Sequence, residues 1–172
     1  MRHITIFWCQ HPIFVYSLGM VKKTQEIQHY DFIIIGQGLA GSLLAWSLIQ
    51  ADSKVCIISD QQHSASRVAA GLINPVAGQR FVLADLTPQM LEWCKVFYQD
   101  IETKLDIKVY HEQAMLRLFN NEKEQLNGEK RLAQENYQPF LSNTDVPKNV
   151  SADHGGIKQH QTAWLDTNTL LD

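Results

Sequence analysis

The sequence predicts an α/β fold, and three features of the 172-residue chain carry that reading. A wholly apolar run, Phe32-Ile33-Ile34-Ile35, feeds into a glycine cluster, Gly36-Gln37-Gly38-Leu39-Ala40-Gly41. A segment from Leu39 to Gln50, free of proline and of glycine beyond Gly41, then carries Leu43, Leu44, Trp46, Leu48 and Ile49. A second apolar run follows at Val55-Cys56-Ile57-Ile58. Strand, helix and strand within about 30 residues make a parallel βαβ unit. The first strand is continuously apolar rather than alternating, which predicts a parallel strand covered on both faces.

The remaining elements follow in order. Ala51-Asp52-Ser53 ends the first helix, and the second strand closes toward Asp60. The stretch Ser64 to Pro75 is rich in small residues and stops at Asn74-Pro75, so it reads as chain passing close to something bulky rather than as another crossover helix. Thr87 as N-cap and Pro88 at the first helical position open a helix whose Met90, Leu91, Cys94, Phe97, Tyr98, Ile101 and Leu105 recur on one face. Residues 107–110 and 114–119 read as two strands joined through His111-Glu112-Gln113. Asn121 with Glu124 resembles a capping box at the start of a helix that Gly128 weakens. A polar, proline-marked linker covers 141–153, Gly155-Gly156 precede one strand over 157–164, and Asp166 or Thr167 caps a last helical turn. The expected organisation is an N-terminal extension over 1–29, a first domain over 30–106 and the beginning of a second, α+β domain over 107–172.

The glycine cluster carries chemistry because of where it stands. In a G-x-G-x-x-G turn between strand and helix, Gly36 allows the tight turn, Gly38 removes a side chain from the path of a pyrophosphate, and Gly41 lets helix and strand pack closely. The helix N-terminus, with unpaired N–H groups and the positive end of the dipole, favours an anion. Asp60 lies about 20 residues further on, where an acid takes ribose hydroxyls. The segment is therefore a Rossmann-like dinucleotide site. An NAD(P) site and an FAD site both fit Asp60, whereas Ser66 to Pro75 speaks for the flavin.

In the Gly36–Gly41 fingerprint with Asp60 and in the Ser66–Pro75 segment, the sequence resembles the FAD-dependent oxidoreductases of the D-amino-acid oxidase and glycine oxidase superfamily. The likeness runs over about residues 30–172 and is weaker beyond Arg80. It implies that Gly36, Gly38, Leu39 and Ala40 face the FAD pyrophosphate, with Gly41 at the helix–strand contact and Asp60 on the adenosine ribose. It further implies Ser66 and Arg67 on the phosphates or ribityl chain, and Ala70, Gly71 and Leu72 beside the isoalloxazine ring. Asp60 departs from the glutamate common in flavin members. The implied activity is oxidation of a small amine or amino acid by hydride transfer to the flavin, with no catalytic residue assigned. Members of this superfamily are longer, so the sequence reads as an N-terminal fragment, inactive alone, whose substrate contacts and electron acceptor lie beyond it. An inactive product of a truncated gene is the remaining alternative.

Composition limits other functions. Hydrophobic residues at 45% supply a core, while a net charge of −3 and a pI near 6.1 leave no basic footprint for nucleic acid. Cys9, Cys56 and Cys94 are an odd, widely spaced set that reads as reduced thiols in a cytoplasmic protein. His63, His111, His154 and His160 are isolated, so no metal site is expected. The apolar start Ile4 to Cys9 is broken by Gln10-His11-Pro12, too short for a bilayer span, and Met20 is the expected true start.

Overall fold

A computed structural model describes residues 29–59 and 65–172. The N-terminal extension with its expected start at Met20, Cys9, Asp60 and His63 lie outside the described residues. The chain divides into two compact units, one formed by the sequence up to Val68 with Leu171, the other by Ala69–Leu170 with Asp172.

In the first unit, β1 (Phe32–Ile35), α1 (Leu39–Gln50) and β2 (Val55–Ile58) are followed by a one-turn helix, α2 (Ala65–Val68). β1 and β2 pair in parallel, from Phe32 opposite Val55 to Ile35 opposite Ile58. Gly36 leaves the sheet with φ +98°, a conformation that favours glycine, while its N–H still donates to Ile58 O at 2.8 Å. Gly41 is required by contact: a Cβ there would stand 2.1 Å from Gly36 O and 3.3 Å from Ile34 Cγ2. α1 therefore lies directly on the face of β1 that carries buried Ile34. The opposite face is open, with Ile33 63% and Ile35 86% exposed. The expected covering of both faces is not met among the described residues, because a two-stranded sheet with one long helix has a layer on one side only.

The second unit contains β3 (Leu72–Ile73), β4 (Val76–Ala77), β5 (Val82–Leu83), α3 (Thr87–Leu105), β6 (Tyr110–Glu112), β7 (Met115–Leu118), α4 (Glu122–Leu132), a 3-10 turn (Glu135–Tyr137), β8 (Leu141–Asn143), β9 (Gly156–Gln159), β10 (Ala163–Leu165) and α5 (Thr167–Leu171, whose last residue groups with the first unit). Its sheets run β3-β10-β6, β4-β5 and β7-β9-β8, and every pairing is antiparallel. The core gathers Val76, Phe81, Phe119, Tyr137, Phe140, Leu141 and Ile157.

Several local expectations are corrected here. The strand expected over 107–110 forms instead at Tyr110–Glu112, and β6 pairs with β10 while β7 pairs with β9. The expected single strand over 157–164 breaks into β9 and β10 around Gln161, whose φ is +54°, so that each half serves a different sheet. The expected linker begins with β8, and Leu141 belongs to the core. Leu86, not Thr87, is the N-cap of α3, and Met90 is 61% exposed, while Tyr98 and Ile101 are the buried residues of that helix. Gly128 is an adaptation to packing, since a Cβ would stand 2.6 Å from Phe119 Cε1.

Candidate FAD-binding site

The site begins at the N-terminus of α1. Gly38 is its N-cap, extended at φ −78° and ψ −175°, and no side chain of that residue covers the first turn. The first turn carries no acidic residue, so nothing there repels an anion. An α-helix leaves its first N–H groups without intrahelical partners. One of them, Leu39 N–H, donates to Ser66 Oγ at 3.0 Å. That bond joins the two blocks singled out in the sequence, across 27 residues of chain. Inside the helix, Ser42 N–H donates to Gly38 O at 3.0 Å, while the Ser42 hydroxyl is buried and has no hydrogen-bond partner among the described residues.

These features fit a dinucleotide. Gly36 and Gly38 put no side chain on the turn between β1 and α1, Gly41 lets the helix lie against β1, and the first turn of α1 carries no acidic residue, a setting that suits an anion. Arg67, adjacent to Ser66, donates from Nη2 to Leu171 O at 2.8 Å, so its fork takes part in holding the chain end.

The remaining residues of the sequence reading lie in the second unit. Ala70 is exposed, and Gly71 adopts φ +63° with Leu165 N–H donating to its carbonyl at 2.9 Å. A Cβ at Gly71 would stand 2.1 Å from Leu165 O, so the approach of β10 is sufficient reason for glycine there. Leu72 pairs with Trp164, which pairs in turn with His111. The indole and imidazole stack at 4.0 Å, and Leu72 is 62% exposed. His160 Nε2 meets Ser142 Oγ at 2.7 Å. Among the described residues, no group of three or more His, Cys, Asp or Glu could hold a metal ion, and no helix is long and apolar enough to cross a membrane.

The parallel strand–glycine turn–helix unit is followed by an antiparallel α+β unit, and comparison with known proteins places this arrangement in a family. The family model of the FAD-dependent oxidoreductases called DAO matches residues 31–172, and the chain belongs to that family, whose cofactor is FAD. Among solved structures it is similar to L-amino acid deaminase from Proteus vulgaris, with a TM-score of 0.58 and 17% identity over 89% of this chain and 39% of that one. It is also similar to glycine oxidase from Bacillus cereus, with a TM-score of 0.50 and 19% identity over 83% of this chain and 43% of that one. The chain thus spans about two-fifths of the length of these two structures.

Proposed function

We propose that this chain binds FAD at the N-terminus of α1 and serves the oxidation of an amine or amino acid. The carrying observation is the hydrogen bond from Leu39 N–H to Ser66 Oγ, which ties the glycine fingerprint to the segment expected to follow the flavin. Gly36, Gly38, Leu39, Ala40 and Gly41 form the backbone cradle, Ser66 fixes the first turn, and Asp60 takes the adenosine ribose. Arg67 contributes positive charge beside Ser66 while anchoring Leu171. Ala70, Gly71 and Leu72 pass along the ring.

FAD, when bound, supplies the two-electron acceptor for a hydride from the carbon next to the amine nitrogen. The part of the protein is to hold the nucleotide, present the ring and keep water from the reacting carbon. Oxidation of a C–H beside nitrogen gives an imine, which water hydrolyses. The names of the two similar structures, one acting on L-amino acids and one on glycine, support this substrate class. Free Cys56 and Cys94 support a cytoplasmic setting.

The test is in two stages. The purified chain is mixed with FAD, passed through gel filtration and scanned for visible flavin absorbance; co-elution is the expected result, and elution without flavin rejects the cofactor assignment. The loaded protein is then mixed anaerobically with glycine, sarcosine, and D- and L-amino acids. Bleaching of the flavin by one of them supports the reaction and overturns the expectation that these residues are inactive alone. A flavin that NADH bleaches and no amine does would move the protein to another electron donor.

A further inference from the structure

We infer that the cleft between α3 and β6 is a second ligand site, apart from the proposed FAD site, that takes a small organic ammonium ion with an apolar body. The cleft lies wholly within the second unit and has a volume of about 910 Å³. Cavities of roughly 300–1,000 Å³ hold small-molecule ligands. One wall is a face of α3, where Leu91, Glu92, Lys95 and Val96 recur at helical spacing. The other is made by Tyr110 and Glu112 of β6 with the turns that follow β6 and β9.

Tyr110 carries the inference. Its ring stacks on Tyr98 with centres 5.7 Å apart, and its backbone N–H donates to Glu102 at 2.7 Å, so the side chain is held in place. The residue is only 6% exposed, yet its hydroxyl has no hydrogen-bond partner among the described residues. Of these residues Ser42 alone has a sealed side-chain polar atom without a partner, so the Tyr110 hydroxyl keeps an opening. Burial pushes the Tyr110 phenol up, Glu112 and Cys94 add to the rise and Lys95 opposes it, which sets the hydroxyl among the charges of the cleft. A neutral phenol both donates and accepts.

Charge selects the ligand. Lys95 Nζ meets Glu112 Oε1 at 2.7 Å, so that ammonium is already paired. Glu92, three residues before Lys95 on the same helix, is exposed and has no ion-pair partner among the described residues. Two carboxylates thus stand against one ammonium. An anion would meet the excess negative charge, and the Lys95 ammonium repels a metal ion, whereas an organic monocation restores the balance. Its ammonium group donates to the Glu92 carboxylate and to the Tyr110 oxygen, and its apolar body covers Leu91 and Val96, the latter 61% exposed. Neither Glu92 nor Tyr110 stood out in the sequence, because their use depends on β6 lying beside α3.

The experiment titrates the purified chain, without flavin, with phenethylamine and with its neutral and anionic counterparts of like size, 2-phenylethanol and phenylacetate. Calorimetry at neutral pH and low salt should show phenethylamine binding roughly ten-fold or more tightly than either. Glu92→Gln, which keeps the shape of an exposed side chain, should weaken the amine by roughly ten-fold, and Tyr110→Phe, which removes only a hydroxyl, by about five-fold. Asp145→Asn, an exposed carboxylate outside the cleft, should leave binding unchanged. Circular dichroism checks that each variant is folded, and Glu92→Gln decides the matter if Tyr110→Phe is not. No binding of the amine, equal binding of the alcohol, tighter binding of phenylacetate, or full amine affinity in Glu92→Gln overturns the inference. An equal loss in Asp145→Asn also overturns it, since that would be attraction to the net charge of the whole chain. Failure of the chain to bind FAD overturns the proposed function and leaves this inference standing.

Discussion

Gly38 and Gly128 show how the same residue type answers two demands. At Gly38, the N-cap of α1, the proposed demand comes from the ligand, whose pyrophosphate would pass where a side chain would stand. Gly38→Val should therefore leave most of the fold intact and abolish FAD retention on gel filtration, since a branched side chain would stand in the path of the pyrophosphate. Retention equal to wild type would remove Gly38 from the phosphate site. At Gly128 the requirement is internal, because the ring of Phe119 fills the place of a Cβ. Gly128→Ala gains about 1 kcal/mol of helix propensity but overpacks the core by about 1–3 kcal/mol. A net loss of stability is expected in urea unfolding, and a gain would mean that Phe119 moves aside freely.

Helix α4 is held from its first turn. The Asn121 side chain accepts from Glu124 N–H at 2.9 Å, and Glu122 and Glu124 at the start and Lys130 and Arg131 at the end oppose the helix dipole. Glu124 does not reach back to Asn121 as a full capping box requires. Its buried carboxylate instead accepts from Arg117 at 2.6 Å and from the Asn120 backbone and side chain at 3.1 and 2.8 Å. Arg117 also donates to Gly78 O at 2.9 Å and lies 4.1 Å from the centre of the Phe81 ring, so one ion pair links β7, α4 and the β4–β5 turn. Burial pushes the Glu124 carboxyl up, but Arg117 and the Asn120 N–H groups outweigh it and hold it below the ordinary value. A depressed folded value stabilises the protein above the unfolded value, near pH 4.5, and that contribution is lost as pH falls through the lower folded value. Glu124→Gln should cost about 3 kcal/mol at neutral pH, because it leaves a half-buried guanidinium without its counter-charge. The loss should shrink under acid conditions, as urea midpoints of wild type and variant converge. A constant difference across the acid range would show that shape rather than charge matters at this position.

At the scale of the whole molecule, the two units have unequal interiors. The second has a seven-residue buried cluster, whereas the βαβ unit exposes Phe32, Ile33, Ile35 and Ile58 on its short sheet. Exposed strand edges and apolar faces invite pairing with other chains. Concentration-dependent self-association is expected in sedimentation velocity, and Ile33→Lys with Ile35→Lys should reduce it; monodisperse behaviour of the wild type at high concentration would contradict this. FAD binding should also stabilise the protein, by about 2.7 kcal/mol at a hundred times Kd. The expected readout is a thermal unfolding transition that shifts upward with FAD concentration, and no shift under saturating FAD would argue against native-state binding.

The sequence by itself determined β1, α1 and β2 to the residue, because each rests on a local pattern: an apolar run, a glycine turn and a helix without internal breakers. It narrowed the last cap to Asp166 or Thr167, and the structure takes Asp166, whose carboxylate accepts from Thr169 N–H at 3.0 Å. FAD, the cofactor of the family, was legible from Gly36–Gly41 and from Ser66–Pro75, whose residues stand as the proposed holders of the nucleotide. Tertiary structure alone decided what depends on distant partners. Strand pairing is non-local, so β6 joined β10 and β7 joined β9 although they are neighbours in sequence, and Gln161 turned one apparent strand into two. The reason for Gly71 became visible only once Leu165 lay against it. Contact across the chain, not the residue type, assigns those roles, because the same glycine is neutral until another backbone comes within reach.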